Sequence, residues 1–198
     1  SPGIDTKKTK LKSILIKNKK KIITDLDLFY MQKLPVKSIM VTGTNGKSTT
    51  CKLIQHVLRT NKLDAQLGGN IGKPILDLKI KKNSIIVIEA SSFQLFYLKF
   101  VKPTFAIILN ITKDHLDWHG TIKNYQNSKF NIFSKQDRKD FAFLGKSDQI
   151  KIFTRKFFQS KLIKVRGGTI KKNFKKSIKN KYLLNGPNLE NISFVLKI

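Results

Sequence analysis

Apolar residues follow two rhythms along this chain. Short, mostly apolar runs occupy positions 38–41, 85–88 and 106–109, the length of a buried strand. The third run is closed by the polar Asn110 and Thr112, so it is far too short to cross a membrane. Between and after these runs the spacing turns helical. Leu53, Ile54, Val57 and Leu58 would share one helix face, and helices are also expected around 122–133 and over 188–198. Strands alternating with helices predict an α/β fold, a mostly parallel sheet with helices on both faces. From 141 to 184 the strands look shorter and a Gly167-Gly168 turn intervenes, which predicts a smaller antiparallel edge. Residues 1–35 are lysine-rich without a clear period and predict an approach segment with little core of its own, a stub ahead of a single domain.

Composition changes this picture in one respect. The 198 residues carry a formal net charge of +28, which raises the prospect of a nucleic-acid partner. However, arginine occurs only at Arg59, Arg138, Arg155 and Arg166, so lysine supplies 36 of the 40 basic residues. Arginine's planar fork is the usual reader of phosphates and base edges. The lysines are also spread along the chain, with clusters at 7–12, 17–21 and 171–176, so no nucleic-acid or membrane partner is expected. Cys51 is alone, which excludes an internal disulfide framework and fits a reducing, cytoplasmic setting. No signal peptide is visible ahead of the first strand.

The segment Thr42-Gly-Thr-Asn-Gly-Lys-Ser-Thr49 carries the clearest chemistry. Its glycines let backbone N–H groups converge on an anion, and the helix that follows adds the positive end of its dipole. Thr44, Asn45, Gly46, Lys47, Ser48 and Thr49 are the candidate phosphate-binding residues. Lys47 can reach the β- and γ-phosphates of a nucleotide, and the Ser48 hydroxyl can ligate Mg²⁺. The general phosphate loop has a glycine five positions before Gly46, where this chain has Val41, and Gly43 lies closer in.

The loop resembles that of the Mur ligases and their relative folylpolyglutamate synthase. Four further segments stand in the order and spacing of that family: Gly68-Gly-Asn-Ile-Gly72, Glu89-Ala-Ser-Ser-Phe-Gln-Leu95, Asn110-Ile-Thr-Lys-Asp-His-Leu-Asp117 and Tyr125 to Lys129. The Ser-Ser-Phe-Gln and Gly-Gly-Asn-Ile-Gly elements look most like the D-glutamate-adding branch. The resemblance is strong over about residues 20–135 and weak beyond. It implies an ATP-dependent ligase of peptidoglycan synthesis that phosphorylates a carboxylate and joins it to an amine, with UDP-N-acetylmuramoyl-L-alanine and D-glutamate as substrates and a monomeric state.

The resemblance also assigns roles. Lys47, His115 and Lys129 become catalytic candidates. Ser48, Glu89, His115 and Lys129 become metal candidates, Lys129 once carbamylated by CO₂. Asn70, Ser91 and Gln94 become substrate contacts, and Thr112 and Asp117 supports or helix caps. Gly186-Pro-Asn-Leu-Glu-Asn191 resembles the adenine-side motif Gly-x-His-Asn-x-x-Asn but is one residue short and lacks the histidine, so only Asn188 and Asn191 carry over. His56 and His119 lack such context and read as structural.

By the same resemblance, residues 1–35 are expected to be the tail and linker of an N-terminal nucleotide-gripping domain. Residues 36–198 would be the central ATP-binding domain, incomplete at its C-terminal end and without the C-terminal domain. Such a fragment is expected not to turn over alone. The competing readings are another Mur-type or folate-type ligase, a basic nucleic-acid-binding module, and a nucleotide-binding remnant.

Overall fold

The computed structural model describes residues 9–10, 12–167, 170 and 172–198. After helix α1 (Lys12–Lys17) comes α2 (Asp25–Met31), then β1 (Lys37–Thr42), α3 (Lys47–Thr60) and β2 (Ala65–Gly69). These are followed by β3 (Ile85–Glu89), α4 (Ser92–Phe96), β4 (Phe105–Ile108), α5 (Leu116–His119) and α6 (Ile122–Phe130). The described chain closes with β5 (Phe141–Leu144), α7 (Ser147–Arg155), β6 (Lys161–Lys164), α8 (Lys172–Ser177) and α9 (Gly186–Val195).

Six strands form one sheet in the order β2-β3-β1-β4-β5-β6, and every pairing is parallel. Side chains alternate between its two faces. Met40, Ile86, Ile88, Ala106 and Ile108 pack in one core layer with α2, α4 and α7, while Ile39, Val41, Val87 and Ile107 pack in the other with α3 and α9. The central strands are therefore buried on both sides, which is why they are nearly continuous apolar runs.

Two expectations are corrected. The edge formed by β5 and β6 is parallel, with Phe141 opposite Lys161 and Leu144 opposite Lys164. Helix α7 makes the crossover between them and buries Phe153 against the sheet, and such a crossover returns the chain in the same direction. The expected turn lies partly outside the described residues, since Gly168 is among those not described.

Residues 1–35 also hold more core than expected. Thr24 caps α2 in a reciprocal capping box with Asp27. Asp27 is fully buried and accepts hydrogen bonds from the backbone N–H groups of Lys99 and Phe100, both at 2.9 Å. This anchor drives Leu26 and Phe29 into the main core layer. Of the expected tail and linker at residues 1–35, residues 1–8 and 11 lie outside the described residues. Among the described residues no helix is long and apolar enough to cross a membrane.

Candidate active site

The chain crosses from β3 to β4 over β1, so the sheet changes its winding there, and ligands of open α/β sheets bind outside the strand C-termini at such a point. Thr42 ends β1, Glu89 ends β3 and Ile108 ends β4. The loop after β1 enters α3 through Gly46, whose φ of +84° is the left-handed conformation glycine tolerates. No side chain caps α3, so its first N–H groups face the loop.

Asn110, just beyond β4, latches this loop. Its Oδ1 accepts from the Asn45 N–H at 2.9 Å, and its Nδ2 donates to the Asn45 carbonyl at 3.1 Å. Thr44 is held in turn by Thr112, whose N–H donates to the Thr44 hydroxyl oxygen at 3.0 Å, and by the Tyr125 hydroxyl at 3.1 Å. The supporting role expected of Thr112 thus falls on the loop.

Lys47 Nζ donates to the carbonyls of Gly43 at 3.0 Å and Thr44 at 2.8 Å. Ser48 donates to Glu89 Oε2 at 2.7 Å, and Asn70 Nδ2 donates to Glu89 Oε1 at 2.8 Å. Glu89 is 2% exposed. A buried carboxylate beside a hydroxyl is a hard oxygen pair, the donor chemistry Mg²⁺ takes together with water and phosphate oxygens. Among the described residues no three of His, Cys, Asp and Glu gather into a metal cluster. The Ser48 and Glu89 oxygens fit a cation that also takes ligand and water oxygens.

Lys129 is buried on α6, and its Nζ donates to the Gly43 carbonyl at 2.8 Å and sits 4.6 Å from the centre of the Tyr125 ring. Burial first, and then the Lys47 charge, pull its pKa down to about 7. A cavity of about 140 Å³ joins these groups, lined by Lys47, Asn70, Ser91, Phe93, Asp114, His115, Tyr125 and Lys129, with Ser92 beside them. His115, at φ +49°, starts α5 with Nε2 3.4 Å from Asp114 and its ring 4.8 Å from that of Phe93.

Other expected site residues are engaged with partners inside the protein. Gln94 is not among the cavity-lining residues; its amide oxygen accepts from the Ser91 N–H and hydroxyl, completing the cap of α4. Asn191 lies behind the loop, where a Cβ on Gly46 would come within 2.5 Å of its Oδ1. Asn191 Nδ2 donates to Asn188 at 3.3 Å, and Asn188 Nδ2 donates to the Tyr182 carbonyl at 2.9 Å. Thr49 lies in the first turn of α3 after Ser48.

Sequence reasoning gave no role to Asp114, Tyr125, Phe93, Ser92 or Asn110, although all five stand inside the quoted segments. Asp117 falls in the first turn of α5. His119 is buried, with burial and then the His115 and Lys129 charges lowering its pKa to about 4.

Comparison with known proteins fits this geometry. The Mur ligase middle domain family matches residues 41–194. The UDP-N-acetylmuramoylalanine--D-glutamate ligase of Rickettsia bellii is 43% identical over 124 residues, covering 63% of this chain and 27% of that protein. The ligase of the same name from Pseudothermotoga lettingae is 34% identical over 192 residues, 93% of this chain and 44% of that protein. The chain thus spans between about a quarter and under a half of the length of these relatives. In fold it matches the MurF ligase of Thermotoga maritima, solved in complex with ADP, with a TM-score of 0.56 at 20% identity over 74% of this chain and 38% of that one. It also matches a Neisseria UDP-N-acetylmuramate:L-alanyl-gamma-D-glutamyl-meso-diaminopimelate ligase, with a TM-score of 0.55 at 17% identity over 70% of this chain and 49% of that one.

Proposed function

The chain belongs to the Mur ligase family through its middle domain, and from that premise we propose that it is the nucleotide- and metal-binding part of an ATP-dependent ligase joining D-glutamate to UDP-N-acetylmuramoyl-L-alanine in peptidoglycan synthesis. The observation that carries this reading is the convergence of Lys47, Asn70, Ser91, His115 and Lys129 on one cavity beside the glycine loop. The names of the relatives support the substrates, and the ADP complex of the Thermotoga protein supports the nucleotide.

In this reading the loop N–H groups and Lys47 cradle the ATP phosphates, and Asn188 and Asn191 stand on the adenine side. Asn70, Ser91 and Gln94 orient the substrate, Gln94 through the cap that holds Ser91. The substrate carboxylate attacks the γ-phosphorus, the bond to the β-phosphate oxygen breaks, and ADP leaves. The D-glutamate amine then attacks the acyl carbon, phosphate leaves and the amine gives up a proton. Positioning and charge neutralisation dominate such a transfer. Mg²⁺, held by Ser48 and Glu89 with His115 beside the cavity, would neutralise charge on the phosphate oxygens.

Lys129 belongs to the metal side of this proposal. With a pKa of about 7, much of it is a free amine near neutral pH. Such an amine can add to CO₂, forming an N–C bond and releasing a proton to leave a carbamate anion. The central unit of the proposed enzyme begins ahead of α2, because Leu26 and Phe29 belong to its core. The reaction belongs to the cytoplasm.

The test is a chimera in which this chain replaces the matching region of the Rickettsia bellii ligase. ATP-dependent addition of D-glutamate, in preference to other amino acids, is the expected result. A folded chimera that binds both substrates and forms no product would contradict the reading.

A further inference from the structure

His119 is enclosed by groups from three helices. Its ring stacks on Phe93 of α4 with an interplanar angle of 7°, and lies 4.5 Å from Trp118 and 5.2 Å from Tyr125 of α6. Its Nε2 is 3.0 Å from the Ser92 hydroxyl on α4, and its Nδ1 is 3.3 Å from the Ser128 hydroxyl on α6. Ser92, Phe93 and Tyr125 also line the cavity, so this imidazole ties together two of the cavity's walls.

The direction of each hydrogen bond follows from a count of protons. A hydroxyl has one hydrogen to give. Ser128 gives its own to the Asn124 carbonyl, 2.8 Å away, so toward His119 it can only accept. Nδ1 must then be the protonated nitrogen. A neutral imidazole has one donor and one acceptor, so Nε2 is left with a lone pair, which takes the hydrogen of Ser92.

We propose that Ser128 fixes His119 as its Nδ1–H tautomer, and that His119 in turn draws the Ser92 hydroxyl hydrogen away from the cavity, leaving Ser92 as a hydrogen-bond acceptor in the cavity wall. His119 is therefore a positioning residue acting through Ser92. The low pKa of its buried ring agrees with a neutral imidazole at neutral pH. This wiring contrasts with the opposite side of the same cavity, where the Lys47 ammonium can only donate. The cavity is thus polarised. A ligand group at Lys47 is an acceptor or anion, and one that reaches Ser92 is an N–H or O–H. The inference concerns the cavity alone, and its test is independent of the ligase reading.

Long-range ¹H–¹⁵N correlation spectra of the labelled chain near neutral pH resolve protonated from bare ring nitrogens. Loss of one of the histidine patterns in His119→Gln assigns the residue. A single Nδ1–H pattern for His119 is expected in the wild type and in Ser92→Ala. In Ser128→Ala the pattern should shift toward Nε2–H, because Nδ1 has lost its acceptor. An Nε2–H pattern in the wild type would overturn the proposal, as would a Ser128→Ala spectrum identical to wild type. A merely space-filling histidine would not make its tautomer depend on Ser128.

Discussion

Lys47 and Lys129 donate to the same acceptor, the Gly43 carbonyl oxygen, at 3.0 and 2.8 Å. Two lysine amino groups thus meet at the start of the phosphate loop, one from α3 and one from α6. The pairing suits a polyanionic ligand, and the Lys47 charge, after burial, disfavours the charged form of Lys129.

That effect should be visible as pH-dependent stability. With a folded pKa of about 7, Lys129 releases its proton far more readily than an unfolded lysine, whose ordinary value is 10.5. Between those values the unfolded chain binds more protons, so the contribution of Lys129 to stability rises with pH. The slope is at most about 1.4 kcal/mol per pH unit. In urea unfolding, wild type should gain roughly 2 kcal/mol on Lys129→Met between pH 7.5 and pH 9.5. A difference that stays flat with pH would show that Lys129 titrates normally.

Glu89 and Ser48 form the hard oxygen pair at the loop. The isosteric Glu89→Gln keeps volume but removes the charge and one of the two acceptor oxygens used by Ser48 and Asn70. Its affinity for ATP in Mg²⁺ should fall on the order of tenfold or more, with little change in the presence of a chelator. An unchanged Mg²⁺ dependence would remove Glu89 from the metal site.

Gly46 should be intolerant for two separable reasons. Gly46→Ala meets the positive φ, worth roughly 1–2 kcal/mol, and also the Asn191 amide. Asn191→Ala removes that obstacle, so Gly46→Ala should cost less in that background than alone. Equal costs in a double-mutant cycle of thermal unfolding would place Asn191 away from the loop.

Local pattern and tertiary contact divide what the sequence could reveal. The loop, Lys47 and the flanking strand and helix were readable because spacing within 20 residues defines them. The burial of the central strands was readable for the same reason, as their apolar runs leave no polar face. The direction of β6 was not, since its short Lys161–Lys164 segment is only Leu162 and Ile163 between two lysines, and only the packing of α7 sets the pairing. Nor was the burial of Leu26 and Phe29, which depends on Asp27 reaching backbone more than 70 residues away. Among the histidines, motif context selected His115. The hydrogen-bond partners of His119 come from α4 and α6, and no local pattern announces them. Gln94 was readable as a polar group in the right segment, but its engagement in the cap of α4 depends on the local backbone.

The most direct test of the nucleotide site is calorimetric titration of the chain with Mg-ATP, wild type against Lys47→Ala. Saturable binding that weakens about tenfold or more in Lys47→Ala, with folding intact by circular dichroism, is the expected result. Equal affinity in the two proteins would contradict the assignment of residues 44–49 as the phosphate loop.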